Sequence, residues 1–241
     1  MYYYILESPT SRNARNVYNH LRDDLTYLGI TGEITVANPA RPAHELVKIA
    51  IARGYTTIVV VGGDKIINDV ATLVLDRVVL GVVPVDASPE VTELFGVTQP
   101  KEALEAVKNR RISECNLTLI EPNNLIFLDV EVTSPNLVKA QFVIENKVKG
   151  QAYFNRITVS RDLEIRIHSI HKVAQPKIFG LFSGGSKDVA SDSLFTPKNA
   201  RLITEPSLPI TCCGAQVSQT PASFRLLPDA LKIITKRGTI S

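Results

Sequence analysis

The sequence predicts a three-layer parallel-sheet α/β domain over residues 1–112, followed by an antiparallel β-sandwich domain over residues 113–241. Three observations predict it. Up to residue 112, short apolar runs alternate with segments of helical period. Two of those runs, TTIVVVGG (56–63) and RVVLGVVPV (77–85), are apolar on both faces, as strands of a parallel sheet covered on both sides are. Past Arg111 helical periodicity nearly vanishes and short strand-like runs take over.

Each element has its own justification. YYYIL (2–6) is a strand. A helix follows to about Leu28, with Val17, Leu21, Leu25 and Leu28 on one face, Ser11 as its N-cap and Gly29 past its end. GEITVA (32–37) is a strand and AHELVKIAIARG (43–54) a helix that stops at Gly54. The 56–63 strand breaks at a glycine pair and leads into the helix KIINDVATLVL (65–75). The 77–85 strand and the helix PKEALEAVKNRR (100–111) close this half. The strand candidates beyond are 116–121, 125–133, 137–145, 152–160, 163–170, 177–182, 200–205, 210–213, 223–227 and 231–236.

Composition excludes several classes of function. Apolar residues make up 44% and charged residues 21%, which excludes a wholly disordered chain. A net charge of +3, from 27 Lys and Arg against 24 Asp and Glu, is too balanced to argue for nucleic acid. Three cysteines, Cys115, Cys212 and Cys213, make no disulfide framework, and with scattered histidines and no Cys-x-x-Cys pair a structural zinc site is not expected. The cysteine usage suits a reducing cytoplasm. The start, MYYYILESPTS, is not a secretory signal, and no apolar run approaches the ~20 residues of a membrane span, so any membrane contact is peripheral.

The sharpest chemical feature is Val59-Val60-Val61-Gly62-Gly63-Asp64, an apolar strand entering a glycine turn and then a helix. Ligands of open parallel sheets bind at the carboxyl ends of strands. Two glycines there let backbone amides approach a phosphate, and the helix N-terminus favours an anion. A tight strand-to-helix turn explains the same residues.

The wider arrangement resembles the diacylglycerol kinase catalytic family, which includes sphingosine kinases and bacterial lipid kinases, with NAD kinases as distant relatives. Ser8-Pro9-Thr10-Ser11-Arg12 stands at the family's Asn-Pro-x-Ser-Gly turn, and Gly62-Gly63-Asp64-Lys65-Ile66-Ile67-Asn68-Asp69-Val70 at its Gly-Gly-Asp-Gly-Thr-x-Asn-Glu-Val segment. Pro84 through Gly96 matches the length of its Pro-x-Gly-Thr-Gly-Asn-Asp-Phe-Ala-Arg-x-Leu-Gly segment. Leu208 to Leu231 repeats its C-terminal turn pattern, with Cys213-Gly214-Ala215 where the family has Asp-Gly-Glu.

The resemblance implies ATP as the nucleotide and magnesium as the metal. It implies phosphate-binding roles for Gly62, Gly63, Asp64, Lys65, Asn68, Ser8 and Ser11, a metal role for Asp64, and a lipid hydroxyl as acceptor. The departures are specific. Lys65 replaces a glycine and Ile66 a hydroxyl, Asp86, Ala87, Ser88, Pro89 and Glu90 replace polar contacts, and Cys213 and Ala215 replace both family acids. Lys65 reads either as a phosphate contact or as the exposed first residue of a helix. Asp162 is a candidate base, or the acid of a hairpin turn. Ser183-Gly184-Gly185-Ser186 reads as a flexible loop, and His168 and His171 as exposed strand residues. The expected function is a lipid-kinase-like binding or regulatory module with lost or reduced phosphotransfer, the alternatives being an active ATP- and magnesium-dependent lipid kinase and another small-molecule enzyme on the same scaffold. Its ligand, nucleotide or lipid, is expected in the cleft between the two domains.

Overall fold

The computed structural model describes residues 1–174 and 186–236, without the side chains of 171–174 and 186–188. The strand candidate at 177–182 and Ser183-Gly184-Gly185 lie outside the described residues. The chain divides into two compact units, Met1–Leu117 with Leu227–Ser241, and Thr118–Leu226.

The first unit is the parallel α/β fold. Strands β1 (Tyr2–Leu6), β2 (Gly32–Val36), β3 (Thr57–Gly62) and β4 (Val79–Pro84) lie in the order β2-β1-β3-β4, all parallel. Every residue of β3 and β4 is buried, as their two-sided apolar sequences require. Helices α1 (Arg12–Leu28), α2 (Ala43–Ala52) and α3 (Asp64–Val74) are the crossovers. Because the first crossover steps one way along the sheet and the next two step the other, right-handed connections put α1 on one face and α2 with α3 on the other. Contacts agree: α2 meets α3, and α1 meets α5 (Pro100–Asn109).

Local signals set the helix ends. Ser11 Oγ accepts the Ala14 N–H at 2.9 Å, and Gly29 closes α1 with φ of 70°. Gly81 on β4 admits α5 closely, since a Cβ there would lie 3.1 Å from Val59 and 3.2 Å from Val107.

Two features depart from the sequence reading. Residues Pro89–Phe95 form a short helix, α4, in a segment for which the sequence predicts no element, started by Ser88 and Pro89 and ended by Gly96 in the left-handed region. The last part of the chain also returns to the first unit instead of staying with the β-rich half. Ile233 pairs with Leu80 of β4 in parallel register, and β5 (Ile112–Ile120) pairs with the same long strand, β14 (Ala222–Ile234). The unit boundaries therefore fall at Leu117 and Leu227 rather than at residue 112 alone.

The second unit is antiparallel, and Leu202, Phe224, Phe142, Phe154 and Ile157 are among its buried residues. The long strands β7 (Val130–Ile144), β8 (Val148–Val159), β9 (Ile165–Ala174) and β10 (Ser186–Phe195) follow one another as an up-and-down run. Strand β11 (Asn199–Thr204) pairs with the other side of β7 and with the first part of β14. A hairpin of β12 (Pro209–Cys212) and β13 (Ala215–Gln219) also joins β7, and the short β6 (Asn124–Ile126) pairs with the end of β5. Pro135 interrupts β7 without ending it; the register against β8 shifts between Thr133 and Val138.

Candidate functional site

The carboxyl ends of β1, β3 and β4 bring three loops side by side in the first unit. The ladder runs on past the strands. Glu7 N–H donates to Val61 O at 2.9 Å and Val85 N–H to Gly62 O at 2.9 Å, so the backbone of both loops is fixed by their neighbours. Strand order reverses between β1 and β3, the place where open α/β sheets bind ligands. A concavity of about 250 Å³ lies there, lined by Glu7, Ser8, Thr10, Tyr18, Gly62, Gly63, Asp64, Lys65, Val85 and Asp86.

Gly63 is the N-cap of α3 and has no side chain to cap with. Its N–H donates instead to Glu7 Oε2 at 2.8 Å. Asp64 Oδ1 accepts the Ser88 N–H at 2.8 Å, which ties α3 to the start of α4. Asp86, with φ of 56°, accepts from Ser11 Oγ at 2.5 Å and from Asn13 Nδ2 at 2.8 Å. Those two bonds, Ser11 first, hold the Asp86 carboxyl below the usual carboxylate range. Tyr18 donates to Val61 O at 3.2 Å. Burial, then the Glu7 and Asp86 charges, push its phenol up to about 12, so it stays protonated at neutral pH.

Of the residues expected at this site, Ser8, Gly62, Gly63, Asp64 and Lys65 line the concavity. Ser11 joins it through Asp86. Ser8 Oγ is engaged with Ala37 O at 2.7 Å. Lys65 is exposed, and its ammonium pairs with Asp69 at 2.7 Å, one turn along α3. Asn68 sits on the second turn of α3, where its carbonyl accepts Thr72 Oγ1 at 3.1 Å. Glu7 is the residue that sequence reasoning missed. It is a single acid after a strand and belongs to no motif; its partner is 56 positions away.

In the second unit the remaining candidates are turn positions. Cys213 and Gly214, with φ of 48° and 77°, form the two-residue turn that pairs Cys212 with Ala215. Cys213 is exposed and its sulfur lies 3.8 Å from that of Cys212; none of the three cysteines is in a disulfide. Asp162 is exposed in the β8–β9 turn, its carboxylate 3.6 Å from the Arg161 guanidinium. His168 faces Asp192 across β9 and β10 at 2.6 Å. The side chain of His171 lies outside the described residues.

These residues do not fit a nucleotide with magnesium as they stand. Magnesium takes one or two carboxylates plus the substrate's phosphates. Asp64 is one such carboxylate, but the Gly63 N–H that phosphate would use is engaged by Glu7.

Residues 5–120 match the family model of the diacylglycerol kinase catalytic domain. No curated protein matches the sequence. A diacylglycerol kinase from Bacillus anthracis is similar in structure at 11% identity with a TM-score of 0.76, over 98% of this chain and 97% of that one. An NAD kinase from Archaeoglobus fulgidus, solved with ATP, gives 11% identity and 0.56 over 98% and 94%. Yeast NADH kinase, solved with NADH, gives 12% and 0.52 over 98% and 83%. At those identities the structures speak for the fold. With the family match, they make this chain diacylglycerol kinase-like over residues 5–120, on a two-part fold shared with NAD kinases.

Proposed function

We propose that this chain is a lipid-kinase-like binding or regulatory module in which ATP-dependent phosphoryl transfer is lost or strongly reduced. One observation carries the reading: the charged side chains lining the pocket are mostly anionic. Glu7, Asp64 and Asp86 line it, and among the described lining residues the one cationic side chain, Lys65, pairs with Asp69. Phosphoryl transfer works through positioning and positive charge around the phosphates. Two like unit charges 4 Å apart at an effective dielectric of 20 repel by about 4 kcal/mol, roughly a thousandfold in affinity. The neutral residues Cys213 and Ala215 at the family's acid positions point the same way. The three unoxidised thiols suit a cytoplasmic protein. No described helix is long and apolar enough to cross a membrane, so a lipid partner would be met at the membrane surface.

The competing reading is an active ATP- and magnesium-dependent lipid kinase. Its support is the retained Gly62-Gly63-Asp64 turn within the matched segment. One assay separates the two: incubation with labelled ATP, magnesium and vesicles carrying diacylglycerol, sphingosine or phosphatidylglycerol. The proposal expects no phosphorylated lipid, and robust product overturns it. Calorimetric titration with ATP and magnesium, beside ADP and NAD, tests nucleotide binding itself.

A further inference from the structure

We infer that Glu7 determines what the pocket at the ends of β1 and β3 admits: its carboxylate takes the backbone donor that a phosphate oxygen would take, and so closes the site to anions. The inference rests on the reading above and names the residue behind it. The first N–H groups of an α-helix have no partner within the helix and attract negative charge. The N-cap of α3 is a glycine without a capping side chain, and the acceptor arrives from β1 as Glu7 Oε2, 2.8 Å from Gly63 N. A carboxylate of the chain itself thus sits where an external anion would sit.

The neighbouring glycine makes this possible. A Cβ on Gly62 would lie 2.7 Å from Glu7 Cβ and 2.8 Å from its Oε2. The space that a missing side chain leaves for a close approach is therefore filled by Glu7. The fit is fixed at both ends, because the Glu7 N–H is held by Val61 O at 2.9 Å. Tyr18 donates to Val61 O and Asp86 accepts from Ser11 and Asn13; neither carries a positive charge that could draw Glu7 away.

Two variants separate charge from occupancy. Glu7→Gln keeps an oxygen that can accept from Gly63 but removes the charge; Glu7→Ala removes both. Tripolyphosphate and ATP are titrated calorimetrically, without magnesium, into the unmodified chain and each variant, with circular dichroism as the check on folding. The expected order of affinity is unmodified, then Gln, then Ala, with at least a tenfold gain for Glu7→Ala. In nuclear magnetic resonance spectra, tripolyphosphate should move the Gly63 amide proton only in the variants. A folded Glu7→Ala that binds neither probe more tightly overturns the inference, as does weaker binding, which would make Glu7 a ligand. Should Glu7→Ala fail to fold, a Glu7→Gln variant without a gain overturns it equally. Lipid phosphorylation by the unmodified chain would sink the proposed function alone; the role of Glu7 would still be decided by the sign of the change on mutation.

Discussion

Gly62→Ala and Gly63→Ala add the same methyl group one residue apart, yet their expected costs differ severalfold. At position 62 the new carbon lands 2.7 Å from Glu7 Cβ, 2.8 Å from Glu7 Oε2 and 2.8 Å from Ile66 Cγ2. Ile66 is buried on α3, and the Glu7 backbone is bonded to Val61, so neither yields cheaply. Overpacking of this kind costs about 1–3 kcal/mol, and a displaced hydrogen bond to a charged group adds about 1.5–3 kcal/mol. At position 63 the nearest atoms lie at 3.5 and 3.6 Å, which is ordinary contact. The remaining cost there is the poorer N-cap propensity of alanine, about 1 kcal/mol or less. For a chain of this size each kcal/mol moves the midpoint by about 2–4 °C, so Gly62→Ala should lose roughly 5–24 °C and Gly63→Ala no more than about 4 °C. Helical ellipticity is the right signal, because every helix among the described residues lies in the unit that holds both glycines. Equal losses, or a larger loss for Gly63→Ala, would refute the packing argument and with it the placement of Glu7.

Further outcomes follow from the same geometry. Ser11→Ala removes the cap of α1 and one bond to Asp86, and should cost about 1 kcal/mol in thermal unfolding; a neutral result would count against the cap. Asn13→Ala loses the second bond to Asp86. Because that carboxyl is held below its ordinary value of 3.8, its contribution is present above that value and lost as pH falls through the folded one. The stability gap between the unmodified chain and Asn13→Ala should therefore close in acid, and a gap that persists there would refute the account. Cys213→Asp places a residue suited to positive φ on the β12–β13 turn, so unfolding should be unchanged or slightly later, and a loss above about 1 kcal/mol would contradict the turn assignment. Lys65→Gly with Ile66→Thr, in contrast, should destabilise by about 2 kcal/mol or more, through helix propensity and lost apolar burial. Restoring the family's residues is thus cheap in the second unit and costly in the first.

What the sequence discloses depends on how far each determinant reaches along the chain. The unbroken apolar runs of β3 and β4 announce a covered parallel sheet, and Ser11 and Gly29 announce the ends of α1, because these signals lie within a few residues of their effect. Helix α4 has such signals too, in Ser88, Pro89 and Gly96, but at seven residues it is too short for a helical period to stand out. Strand β10, SKDVASDSLF, has too few apolar residues to stand out before its pairing with β9 is known. The return of β14 to the first unit depends on Ile233 meeting Leu80, a pairing that local pattern does not encode.

The site divides along the same line. A glycine pair after a buried strand says that something must come within Cβ distance of the backbone; it does not say what. Two sources can supply the negative charge that the start of α3 attracts: a bound phosphate, or a side chain brought in by another strand. Nothing local to Gly62-Gly63-Asp64 distinguishes them, since both need the same absent side chains and the same exposed N–H. The distinction rests on residue 7, which the parallel register of β1 and β3 carries to the end of the sheet beside Gly62. A motif read alone therefore reports the capacity for an anion. Whether the chain fills that capacity itself is decided by the first acid beyond the neighbouring strand, and in this chain that acid is Glu7.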